Sequence, residues 1–185
     1  VGEPENGIQD MGETVSGERH ALYDLFVRHY AGFIRDEKLM LTMGNHDLIT
    51  DYGQPTLAVL PHVADLITSE KVDAKRLYYT FAKGPVRFIV LNTGKDDSDL
   101  DIQLPLQQQF IQDTIASSAE SWIIVCVHRP AYSTEDGNHP GSTLVRSLLE
   151  DCKGLGVDLV VTGHTHAYER YMDPDGLLHV SCGTG

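Results

Sequence analysis

Apolar residues in this chain fall into short dense runs, and the runs follow two periods. Residues 39–43 (LMLTM), 86–92 (VRFIVLN), 122–127 (WIIVCV) and 158–162 (DLVVT) are nearly continuous stretches of Leu, Ile, Val and Met. That is the pattern of strands covered on both faces. Residues 77–82 and 177–182 read as further strands, with a weaker one through 8–11. Between them the spacing changes to three and four. Over 18–35 it places Leu22, Leu25, Phe26, His29 and Phe33 near one face of a helix. Residues 104–117 and 142–153 follow the same rule, the latter with Ser142 as N-cap and Gly154 as its stop. Strands alternating with helices predict a layered α/β fold. The close pair 77–82 and 86–92 predicts a hairpin across Lys83-Gly84-Pro85, so a mixed sheet is expected in place of a purely parallel one.

With 185 residues, no internal repeat and no long linker, the chain is expected to form one domain over 1–185. No apolar run approaches the roughly 18 residues that cross a membrane as a helix, and the first residues (VGEPENGIQD) show no signal-peptide pattern. A formal charge of −13, with no cluster of Lys or Arg, disfavours nucleic acid and anionic membranes as partners. Cys126, Cys152 and Cys182 form no metal-like pair, and Cys126 and Cys182 sit in strand-like runs that suit small buried thiols.

The chemistry is concentrated where strands end. The run 39–43 leads into Gly44-Asn45-His46-Asp47, the run 122–127 into His128-Arg129-Pro130, and the run 158–162 into Gly163-His164-Thr165-His166. Ligands of open α/β sheets gather beyond the carboxyl ends of strands. Imidazole nitrogen and amide oxygen together suit zinc, iron or manganese. His164 and His166, one residue apart, can serve two metals about 3.5–4 Å from one another. Any one of these segments alone reads as an ordinary turn or surface histidine. Three of them after three such runs point to a metal site.

GNHD, the strand-borne His128 and GHTH resemble the last three motifs of the calcineurin-like metallophosphoesterases. GHTHAYER and HRPAYS are similar to the purple acid phosphatase branch in particular. The intervals of 83 positions from Asn45 to His128 and 36 from His128 to His164 agree. The resemblance implies an αββα sandwich of two mixed sheets flanked by helices, truncated at the N-terminus and also at the C-terminus. It implies a dinuclear site hydrolysing small phosphate esters with two divalent or trivalent ions (Fe, Zn or Mn). Asn45, His128 and His164 would bind one ion and His166 the other. His46 would act as the acid, tuned by Asp47, and His139 would contact substrate. Asp47, Glu169 and Arg170 would support the histidines. A secreted or periplasmic setting is also implied.

The resemblance breaks towards the start of the chain. The position of the bridging aspartate falls on Glu13, and that of the tyrosine that colours the purple enzymes on Ser16. No Asp-x-His or Asp-x-Gly precedes Glu13, so this chain is expected to retain as few as one ion. Two rivals follow: a non-catalytic relative binding one metal or none, and a nuclease, which the charge opposes. Loops 96–103 and 133–141 are expected to set substrate preference.

Overall fold

The computed structural model describes residues 26–49, 51–69, 76–135, 137, 139–150 and 152–183. The predicted strand at 8–11 lies outside them. Six strands form one mixed sheet in the order β1-β2-β3-β4-β6-β5. They are β1 (Tyr79–Lys83), β2 (Val86–Val90), β3 (Trp122–Cys126), β4 (Leu159–Thr162), β5 (Tyr168–Met172) and β6 (Leu178–Cys182). The β1–β2 hairpin turns where predicted, with Lys83 opposite Val86 and Gly84 at φ 58°, the positive value that a tight hairpin needs at its first central residue. From β2 through β3 and β4 to β6 the pairing is parallel, and β5 closes the far edge antiparallel to β6.

The central strands β3 and β4 are largely apolar on both faces, and β2 shares the two cores that pack on them. Ile89, Val125 and Val160 point into one core with Leu100, Ile111, Val145 and Leu148. These last come from α5 (Asp97–Ser117) and α6 (Thr143–Leu148). Val90 and Cys126, one residue along, point into the opposite core with Leu48, Leu57, Val63 and Ile67. That core is built from α2 (Asn45–Ile49), α3 (Gln54–Val59) and α4 (Pro61–Ser69), preceded by α1 (Arg28–Arg35). The alternation is the two-residue period of a strand. No described helix is long and apolar enough to cross a membrane.

The α/β architecture with a mixed sheet follows the sequence; of the two expected sheets, the described residues form one. The segment at 39–43 is extended but joins no ladder. Tyr79 from β1 substitutes for a neighbouring strand: its hydroxyl donates to Leu41 O at 2.7 Å and accepts from Leu41 N at 3.0 Å. Residues 97–103 are not loop but the first turns of α5, whose N-cap Asp96 accepts from Asp99 N. Ser142 caps α6 as expected, accepting from Val145 N. The predicted helix over 142–153 is, however, two pieces, α6 and α7 (Cys152–Leu155). Gly154 lies inside α7, and Gly156, at φ 98°, follows its end. Cys182 is exposed and Cys152 buried, the reverse of the sequence reading for Cys182.

Candidate metal centre

Parallel pairing brings the ends of β3 and β4 side by side. The ladder continues past both, with Val127 N bonded to Val161 O and Gly163 N to His128 O at 2.9 Å. His128 and His164 therefore leave the sheet as neighbours, and Asn45 arrives from the first turn of α2. His128 Nε2 lies 2.9 Å from Asn45 Oδ1 and 3.1 Å from His164 Nδ1.

These three atoms carry lone pairs and too few protons. Burial, then the neighbouring imidazoles and Arg129, pushes the His128 pKa down to about 4. His164 is likewise pushed down to about 4, by burial and then by His139, Arg129, His166 and His46. Neutral rings carry one N–H each, so a proton on His128 Nε2 can serve only one of its two neighbours. A cation would satisfy all three. With metal–nitrogen bonds near 2.1 Å, adjacent ligands of an octahedron stand roughly 3 Å apart, which is the spacing found here.

Gly44 makes room for His128: a Cβ there would stand 3.0 Å from His128 Cε1, whereas one on Gly163 would meet its Nδ1 at an ordinary 3.5 Å. His164 adopts φ 65°, a left-handed backbone that costs roughly 1–3 kcal/mol and collects at functional sites.

A calcineurin-like phosphoesterase profile matches residues 11–168. The chain belongs to this family. It is 28% identical over 184 residues to purple acid phosphatase 22 of Arabidopsis thaliana, covering 89% of this chain and 40% of that protein. It is 32% identical over 194 residues to purple acid phosphatase 13 of the same plant, covering 98% and 35%. The chain thus spans between 20% and 41% of the length of the curated relatives it matches. A dimetal phosphatase from Danio rerio shares the fold, with a TM-score of 0.54 at 15% identity over 76% of this chain and 59% of that one. The calcineurin-like phosphoesterase family implies divalent or trivalent metal ions, and the donor trio fits one.

The other residues expected at this candidate site are placed as follows. His139 lies between two others, its ring centroid 4.7 Å from that of His164 and 4.6 Å from that of His166. His166 is exposed. His46 is also exposed beside Asn45, close enough for its charge to act on His128 and His164. Asp47 turns back, accepting from Gly44 N at 2.9 Å and from Thr56 Oγ1 at 3.4 Å. Burial raises its pKa against the pull of these bonds and of His46. Asp47 thereby fixes the turn that presents Asn45. Glu13 lies outside the described residues, and among those described no three His, Cys, Asp or Glu side chains form a cage for an ion.

Sequence reasoning missed one carboxylate of this loop, Glu135, and gave another, Glu169, a different task. Glu135 Oε1 lies 3.3 Å from His139 Nδ1. Glu169 supports no imidazole directly; its Oε1 accepts from the backbone N–H of Thr134 at 2.8 Å and from the Thr134 hydroxyl. Desolvation pushes the Glu169 carboxyl up, but the bonds from Thr134 and Ser133 outweigh it and the net shift is downward. Arg170 is exposed. Arg129 pairs with Asp97 at the start of α5 and keeps a buried Nη1 without a hydrogen-bond partner. No periodicity marks these pairings, because each joins separate loops or spans an irregular turn.

Proposed function

We propose that this chain carries the site of a metal-dependent phosphoric ester hydrolase, folded as one domain over residues 1–185 and acting on small phosphate mono- or diesters. The observation that carries the reading is the convergence of Asn45 Oδ1, His128 Nε2 and His164 Nδ1 within about 3 Å steps. This trio would hold one ion; His166 and Glu13 would contribute to a second, Glu13 touching both. Iron, zinc and manganese suit these donors. Bound ions supply Lewis acidity at the phosphoryl group and lower the pKa of water. The chain's own residues do the rest. His46, exposed at the rim, gives an imidazole N–H proton to the departing ester oxygen. Asp47 holds the turn beneath it, and His139, braced by Glu135, reaches the phosphoryl oxygens. The charge of −13 turns away long polyanions.

The test is metal content together with hydrolysis of p-nitrophenyl phosphate, for the wild-type chain and for His128→Ala. Two bound ions with turnover, both lost in the variant, support the reading. One ion or none, with no turnover, identifies a non-catalytic metal-binding relative and overturns it.

A further inference from the structure

A cavity of about 230 Å³ lies between the segment after β3, the end of α6 and the β5–β6 turn. None of the proposed metal ligands lines it. The volume equals roughly eight waters. His179 from β6 lines it and is only 6% exposed; its Nε2 meets Asp173 Oδ2 at 3.5 Å, while its Nδ1 has no hydrogen-bond partner among the described residues. A buried polar group left this way costs free energy unless something arrives to bond it.

Three carboxylates line the same cavity, Glu150, Asp173 and Asp175, of which Asp173 is the one paired with the ring. Asp173 spends Oδ1 on the turn, accepting from Leu177 N at 2.8 Å and Asp175 N at 3.0 Å, and leaves Oδ2 at 3.5 Å from His179 Nε2. The single cation of the lining, Arg146, is already engaged. Its Nε donates to Ala131 O at 3.1 Å, and its guanidinium sits 4.9 Å from the Tyr132 ring centre. The cavity lining is therefore acidic, beside an imidazole whose Nδ1 lacks a donor.

We propose that this cavity binds a small organic cation carrying N–H donors, a protonated amine or a guanidinium. The N–H group would donate to the open nitrogen of His179 while its charge is met by the three carboxylates. Anions are repelled by the same carboxylates. A stacked sugar has no free ring to lie on, because Tyr132 is stacked against Tyr171 at 4.2 Å and approached by Arg146. Divalent metal is disfavoured, since among the described residues no three such groups are arranged to hold an ion.

The experiment is calorimetric titration of the whole chain, in EDTA, with butylammonium and methylguanidinium. Tetramethylammonium, which has no N–H, and sodium are the controls, and calcium without EDTA is a further arm. Saturable binding of the two N–H cations but not of tetramethylammonium supports the proposal. So does a weakening of roughly tenfold, about 1.4 kcal/mol, in Glu150→Gln or Asp175→Asn, both exposed positions where the fold is not at risk. His179→Gln tests the buried ring itself. Unchanged binding in His128→Ala separates this cavity from the phosphoesterase site. Absence of saturable heat, equal response to tetramethylammonium, binding indifferent to all three variants, or calcium as the only ligand would each overturn it.

Discussion

Asn45 and His128 stand 83 residues apart in sequence and 2.9 Å apart in space, amide oxygen to imidazole nitrogen. Their approach depends on what is absent between them. Gly44 precedes Asn45, and its missing side chain is the space that the His128 ring occupies. The contact therefore joins the α2 turn to the end of β3 without any intervening packing.

Filling that space should cost function more than stability. In Gly44→Ala the new methyl meets His128 Cε1 at 3.0 Å and Asp47 Oδ2 at 3.2 Å, so the ring must move. A displacement approaching 1 Å is expected to lower phosphatase turnover by about 10²-fold, with a loss of about 1–3 kcal/mol in stability. Gly32→Ala in α1, where a methyl meets nothing within 4 Å, is the control and should leave turnover unchanged. Steady-state kinetics and urea melts on both variants decide the matter.

The metal-free protein should lose stability as pH falls from about 6.5 towards 4. His128 and His164 are neutral in the folded chain down to about 4, whereas the unfolded chain takes up both protons near the ordinary value of 6.5. Over that window the unfolded state binds more protons, which lowers folding stability with falling pH. Asp47, whose pKa is raised, acts in the opposite direction at the acid end. Urea midpoints measured in EDTA from pH 7 to 4.5 should fall more steeply in wild type than in a His128→Gln, His164→Gln double variant. Parallel profiles would sink the prediction.

Gln107 should be costly to replace by an apolar residue of similar size. It is fully buried in α5, and its amide group bonds both Asn92 N, at 2.8 Å, and Asn92 O, at 2.7 Å. Gln107→Leu strands two buried backbone groups at about 1–3 kcal/mol each. A loss of about 2–4 kcal/mol in chemical denaturation is expected; a loss below about 1 kcal/mol would mean that water takes over both bonds.

Gly183 admits no side chain at all. A Cβ there would fall 1.9 Å from the carbonyl oxygen of Thr165, between His164 and His166. Gly183→Ala is expected to disrupt the histidine loop and to reduce soluble yield, with a thermal midpoint many degrees below wild type. A near-normal melt would show that this backbone crossing relaxes freely.

The parts of the site visible in the sequence were those in which one residue type announces one physical need. Gly44 marked a close approach, and Asn45, His128 and His164 followed apolar runs that end at the same edge. What stayed hidden depended on partners remote in sequence. The segment at 39–43 has the composition of a strand, and only the Tyr79 hydroxyl on Leu41 and the His62 ring on Leu39 O reveal that its backbone is partnered otherwise. β5 escaped because its residues (YERYM) are mostly exposed at the sheet edge and carry no apolar alternation. The first turns of α5 read as loop because Asp and Ser dominate them, although Asp96 is the cap that starts the helix. Glu135 beside His139, and Glu169 beneath Thr134, are fixed by tertiary placement that no spacing rule reports.

β3 and β4 are parallel neighbours, and their hydrogen-bond ladder runs on to the residues that follow each strand. The separation of the two imidazoles is thus inherited from the spacing between adjacent strands, which is nearly constant in all proteins. The loop over residues 129–141 carries His139 and hangs outside that ladder. Changes within that loop can therefore move His139 while leaving the separation of His128 and His164 as the two strands set it.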